Sequence, residues 1–123
     1  MTIIEAIAII DSVKPNGYSQ SDKIRWLSKL DGKVKEEIID AHEGGENKPF
    51  SGYNDNTDLE TKLLIDETYT DIYRYWLEAQ IDYANAEYGK YNNSITTYNA
   101  VYDSYAKAYH RKNMPKTVKL SYF

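Results

Sequence analysis

One stretch constrains the fold more than any other. From Thr68 to Arg111 there is no proline and a single glycine, Gly89. Apolar or aromatic side chains recur there at Tyr73, Leu77, Ile81, Ala84, Tyr88, Tyr91, Ile95, Tyr98, Tyr102, Tyr105 and Tyr109. After two steps of four, the spacing alternates three and four, which places all of them on one face of an α-helix. The phase runs through Asn92-Asn93-Ser94, a group that alone reads as a turn. Two helices joined by a loop keep phase only by chance. The spacing therefore predicts one helix of about 42 residues, about 63 Å long. A hairpin broken near Asn92 is the alternative. A helix that long outruns a small domain, so part of it is expected to pack on another subunit.

The rest of the chain supplies shorter helices. Thr2 and Glu5 stand at capping-box spacing, and Ile3, Ile7 and Ile10 follow on one face, with Ile4 and Val13 nearby. Lys14-Pro15-Asn16-Gly17 stops that helix, because proline disfavours helix before it and Asn-Gly favours a turn. A second helix is expected after Ser19, with Asp22 as the acid of its first turn. Its stripe is Ile24, Leu27, Leu30, Val34 and Ile38, widened by Trp26 and Ile39. Gly32 within it costs about 1 kcal/mol relative to alanine and allows a bend or close packing. The helix is expected to end near His42.

Residues 43–67 break every period. Seven acids face two lysines there, a local charge of −5, which reads as a solvated connection that Phe50 and Tyr53 can pin to the core. The final stretch, 111–123, leaves the helix at Asn113-Met114-Pro115 and carries Arg111, Lys112, Lys116 and Lys119 with no acid. Val118, Leu120 and Tyr122 alternate with polar residues, a weak strand signal. The tail reads either as frayed or as an arm that docks on a neighbouring chain or touches nucleic acid. The fold class expected is therefore all-α: two shorter helices, an acidic loop, one long C-terminal helix and a short tail, in a single domain spanning 1–123.

Chemistry is harder to place. Cysteine is absent, which removes disulfides, thiolate metal sites and cysteine nucleophiles together. His42 and His110 lie far apart, and nothing pairs either with a nucleophile. Asn54-Asp55-Asn56-Thr57-Asp58-Leu59-Glu60 has oxygen ligands at alternate positions, yet lacks the glycine and the bidentate glutamate of a calcium loop. Glu43-Gly44-Gly45-Glu46 has no lysine and is no phosphate loop. Glu78 and Asp82 read as solvent-facing acids. Catalytic residues, metal ligands and cofactors are accordingly expected to be none, and the protein not to be an enzyme. The apolar start, Met1 to Ile10, is too short to span a bilayer and has no basic lead, so it reads as a core helix in a protein kept in a cytoplasm.

The chain holds 13 tyrosines against two phenylalanines and two tryptophans. A phenol has an apolar body and a hydroxyl that needs a partner when buried. A stripe of them suits a core helix with hydroxyls reaching water, or a half-wet contact between subunits. The candidate contact comprises Leu77, Ile81, Tyr88, Tyr91, Ile95, Tyr98, Tyr102, Tyr105 and Tyr109. Stacking on single-stranded nucleic acid fits less well, because the helix is not basic.

Three stretches carry a family likeness: Lys23 to Glu43 (KIRWLSKLDGKVKEEIIDAHE), Phe50-Ser51-Gly52-Tyr53, and Trp76 to Asn93 (WLEAQIDYANAEYGKYNN). Together they resemble a group of small proteins from tailed phages and prophages of Firmicutes, encoded among head and tail morphogenesis genes. The likeness runs from the first helix through Pro115. It implies a head–tail connector, or adaptor, of the kind that forms a ring beneath the portal and extends the DNA exit channel. The partners it implies are further copies of the chain, the portal and tail-completion proteins, with DNA passing through without specific contact and no membrane. The implied location is the host cytoplasm during assembly and then the virion neck. The family has no catalytic residues to carry over. A phage-encoded assembly factor or regulator that does not stay in the particle is the alternative.

Overall fold

A computed structural model describes residues 1–116. The architecture is all-helical and contains four packed α-helices: α1 (Ile3–Val13), α2 (Gln20–Val34), α3 (Asp71–Ala84) and α4 (Tyr88–Lys112). No described helix is long and apolar enough to cross a membrane.

Local signals build the first two helices. The Thr2 hydroxyl accepts the Glu5 amide at 3.2 Å, and the Glu5 carboxylate accepts the Thr2 amide at 3.1 Å, a complete capping box. Ser19 caps α2 by accepting the Asp22 amide at 3.1 Å. The helix passes through Gly32 without a break. Past Val34 it widens into a π-helical turn, Lys35–Ile39. Gly44 then reverses the chain at φ 84°, and Gly45 fits where a Cβ would meet the Ile39 carbonyl oxygen at 2.6 Å. Glycine is required at both positions for different reasons, one conformational and one steric.

The expected 42-residue helix is two helices. The chain folds back at Asn85-Ala86-Glu87, seven residues before the Asn92 break held as the alternative, and α4 runs unbroken through Asn92-Asn93-Ser94. The turn is a Schellman motif: the Glu87 amide donates to the Asp82 carbonyl at 2.9 Å and the Ala86 amide to the Tyr83 carbonyl at 3.0 Å. Ala86 takes the left-handed position at φ 57°, where glycine or asparagine is usual. The continuous phase has a simple explanation. Its middle members, Ala84 and Tyr88, are exposed, and Tyr91 is half-buried, so the core-facing set is two separate runs. Tyr73, Leu77 and Ile81 come from α3; Tyr98, Tyr102, Tyr105 and Tyr109 come from α4.

Helices α3 and α4 pack antiparallel as a hairpin, and α1 and α2 lie against α3. Ile3, Ile7 and Ile10 of α1 meet Leu27, Leu30 and Val34 of α2 and the α3 stripe in one cluster. Aromatic contacts tie α4 in. Tyr98 lies 5.1 Å from the Trp76 ring, and Tyr105 lies 5.6 Å from Tyr69. Each such pair adds about 0.5–1.5 kcal/mol beyond the area it buries.

The acidic loop is anchored rather than merely solvated. Its seven acids, Glu43, Glu46, Asp55, Asp58, Glu60, Asp66 and Glu67, are all exposed, as their charge requires. Its backbone, however, pairs with the N-terminal segment: the Ile3 and Ile4 amides donate to Thr61 and Leu59, and the Leu63 amide to Met1. Leu63 and Ile65 are buried, and Phe50 packs edge-on to Tyr53 at 5.0 Å. In the calcium-like stretch, the Asn54 and Asp58 side-chain oxygens accept the Asn56 and Glu60 amides at 2.8 and 2.9 Å. They are turn formers.

Candidate functional site

The nine candidate contact residues separate into two groups. Leu77, Ile81, Tyr98, Tyr102, Tyr105 and Tyr109 are buried inside the chain itself. Because the hairpin closes on itself, those six form its own core and present no face to a second copy. Ile95 and Tyr91 are half-buried, and Tyr88 is 57% exposed. Tyr88 and Tyr91 meet Tyr83, 60% exposed, in an aromatic cluster at the hairpin tip, with ring centroids 5.7 and 5.3 Å from Tyr83. Glu87 and Lys90 pair beside it at 2.6 Å, so the tip carries little net charge.

Three phenols of the α4 stripe are held neutral. Burial raises the pKa of Tyr98, Tyr102 and Tyr105 well above the ordinary phenol value, and the nearby Glu37 charge raises Tyr98 and Tyr102 further. Tyr102 donates to Glu37 at 3.0 Å, and Lys33 lies over its ring at 4.6 Å. These contacts orient α4 on α2 and on the π-helical turn that follows it. Tyr98 Oη is buried and has no hydrogen-bond partner among the described residues.

Three buried charges missed in the sequence hold elements together. Asp31 is fully buried, and no cation among the described residues pairs with it. Its carboxylate accepts Tyr53 Oη at 2.5 Å, Tyr73 Oη at 2.7 Å and the Leu64 amide at 3.0 Å, while Tyr73 Oη accepts the Ile65 amide at 2.9 Å. Desolvation raises its pKa, and the three donors oppose that rise. Asp82, read as a solvent-facing acid, is buried. It pairs with Lys14 at 2.5 Å and accepts Ser94 Oγ at 2.8 Å, joining the ends of α1, α3 and α4. Lys23, also buried, donates to Asp11 at 2.7 Å and to the Tyr18 carbonyl at 2.9 Å. Each is engaged by partners from its own fold.

A shallow concavity of about 210 Å³ opens to solvent, lined by Ser21, Ile24, Arg25, Tyr53, Asn54 and Asp55. Arg25 there is paired with Asp22 at 3.2 Å. Among the described residues no three metal-ligating side chains converge.

His42 and His110, 68 positions apart, do meet. The His42 Nε2 and His110 Nδ1 atoms are 3.4 Å apart, and the His42 ring lies 5.0 Å from Tyr109. Of the four candidate docking cations, Arg111 and Lys112 close α4 and Lys116 follows it, all exposed. Lys119 and the alternating Val118, Leu120 and Tyr122 lie outside the described residues. The start of the tail pairs with its own chain: the Glu43 amide donates to Met114 at 2.8 Å and the Lys116 amide to Ala41 at 3.0 Å.

Comparison with family models, curated proteins and solved structures finds no match to the chain.

Proposed function

We propose that the chain is a non-catalytic structural protein of a tailed phage, a head–tail connector that acts as a ring of copies between portal and tail. The observation that carries this reading is the likeness to phage morphogenesis proteins, spread over Lys23–Glu43, Phe50–Tyr53 and Trp76–Asn93. The polar interior is consistent with it. Asp31, Asp82 and Lys23 are each engaged in joining segments of the chain, the use expected of a rigid building block.

In this proposal the subunit contacts differ from a shared tyrosine stripe, since Tyr98, Tyr102, Tyr105 and Tyr109 line the chain's own core. The contacts fall to what remains outside: the tip of Tyr83, Tyr88 and Tyr91, and the cations Arg111, Lys112 and Lys116. Tyrosine beside asparagine and glycine, as in Tyr88-Gly89-Lys90-Tyr91-Asn92-Asn93, supplies rigid aromatic anchors with adaptable polar neighbours. The exposed acids of the loop would line a path that does not retain DNA.

Quantitative peptide mass spectrometry of purified particles tests the proposal. A low, fixed copy number relative to the capsid protein supports a neck component. Abundance in infected cells with absence from particles discards it in favour of an assembly factor or regulator.

A further inference from the structure

The only two histidines of the chain meet where its C-terminal arm docks, and the hydrogen bonds fix how they share protons. His42 Nδ1 lies 2.6 Å from the Ile38 carbonyl oxygen. A carbonyl only accepts, so Nδ1 carries the proton, and in the neutral ring Nε2 is a bare acceptor. That acceptor faces His110 Nδ1, which therefore donates to it. His42 is buried, and His110 is exposed on the last turn of α4. On either side of His42, the Glu43 and Ala41 backbone holds Met114 and Lys116. The arm is thus bonded to the residues flanking His42, and α4 is bonded to His42 itself.

We propose that the His42–His110 pair is an acid-released latch for the C-terminal arm. A first proton enters at the exposed His110 Nε2 and leaves the Nδ1–H···Nε2 bond intact. A second must enter at His42 Nε2. It then sets N–H against N–H and two cations side by side, next to the Tyr109 ring. Among the described residues the surrounding charges do not neutralise that state. Lys48 lies 5.2 Å over the Tyr109 ring and donates to its hydroxyl, Lys35 is paired with Asp40, and Arg111, Lys112 and Lys116 add positive charge on the arm side. Glu43 and Glu46, the acids of the adjoining turn, are exposed to water, which screens them. Double protonation therefore separates the rings and frees residues 113–116 from 41–43. Imidazole is the side chain whose charge changes on mild acidification.

Amide hydrogen exchange on the full chain tests the latch. Corrected for intrinsic rates, the Glu43 and Lys116 amides should exchange about tenfold faster near pH 5 than near pH 7.5. The Ile65 amide, bonded to Tyr73 in the core, should not change. His110→Gln supplies a non-titrating side-chain amide to His42 and should abolish the acceleration. His110 is exposed, so the variant should fold, which circular dichroism at both pH values checks. Equal protection of Glu43 and Lys116 at the two pH values, or acceleration that persists in His110→Gln, overturns the proposal. So does a wild-type side-chain ¹⁵N spectrum near pH 7.5 that places the His42 proton on Nε2.

Discussion

The Tyr73 hydroxyl donates to the Asp31 carboxylate across 2.7 Å, joining α3 to α2 at the centre of the molecule. The same carboxylate takes Tyr53 and Leu64 from the loop, so one buried side chain sets the position of two helices and of the segment between them. Replacing it with leucine orphans the Leu64 amide and two phenols. Each unsatisfied buried group costs about 1–3 kcal/mol, although the phenols retain some freedom to turn. Asp31→Leu should therefore lose about 3 kcal/mol or more in urea unfolding. A loss below about 1 kcal/mol would mean the loop holds without it.

The sign of the pH dependence at Asp31 follows from burial. Its folded pKa lies above the ordinary 3.8, so the native state binds this proton more tightly than the unfolded chain does. The contribution is fully present below that ordinary value and is lost as pH rises through the folded one. Relative to the wild type, Asp31→Asn should flatten the fall in stability over that window. Parallel urea titrations at a series of pH values check this. An unchanged slope contradicts it.

Two tyrosines should respond oppositely to loss of a hydroxyl. Tyr98 Oη is buried without a partner among the described residues, so Tyr98→Phe should stabilise by about 1 kcal/mol. Tyr73→Phe strips a donor from Asp31 and an acceptor from the Ile65 amide, and should cost about 2 kcal/mol. Thermal melts of the pair give the comparison. Equal shifts would place the two hydroxyls in like surroundings.

Asymmetry of burial makes a further prediction at the Lys14–Asp82 pair. The Asp82 side chain is 1% exposed and that of Lys14 26%. Removing the lysine strands a carboxylate that keeps only Ser94, whereas removing the carboxylate leaves a lysine free to reach water. Lys14→Ala should cost about 3 kcal/mol and Asp82→Asn distinctly less. The reverse order in denaturant unfolding would contradict the burial argument.

The turn residue offers a stabilising change. Ala86 sits in the left-handed region, which costs a side-chain-bearing residue about 1–2 kcal/mol, partly offset by the lower unfolded-state entropy of alanine. Ala86→Gly should raise stability by about 0.5–1 kcal/mol. Ala86→Val should lower it, because a β-branched side chain fits that region worse. Melting temperatures of the two variants moving the same way would exclude this turn geometry.

What the sequence revealed, and what it hid, divides by the range of the interaction. The caps at Thr2 and Ser19, the stop at Lys14-Pro15 and the all-helical class were legible, because each depends on neighbours within a few residues. The turn at Ala86 was not. Its left-handed position holds neither glycine nor asparagine, and Ala84, Tyr88 and Tyr91 carry the helical phase across it although Ala84 and Tyr88 stay outside the core. Asp31 and Asp82 resembled any acid on a helix, since their partners come from 12 to 68 positions away. The tyrosine stripe was visible as a stripe. Its partner surface was not, because a helix face carries no mark of whether its own chain or another covers it. Reversal at Ala86 supplies that surface from within.

The packing of α4 on α3 depends on that reversal, and the absence of cysteine makes it directly measurable. Asp71 on α3 and Asp103 on α4 are both exposed, and Asp71→Cys with Asp103→Cys would carry a pair of spin labels. In the hairpin, Tyr69 and Tyr105 lie 5.6 Å apart, which makes the labelled positions close neighbours across the helix pair. Pulsed electron resonance should then give a separation of about 10–25 Å, set by helix packing plus the label arms. A single unbroken helix would put the same positions about 48 Å apart. A distance near that value would return the tyrosines to a partner chain and overturn the fold described here.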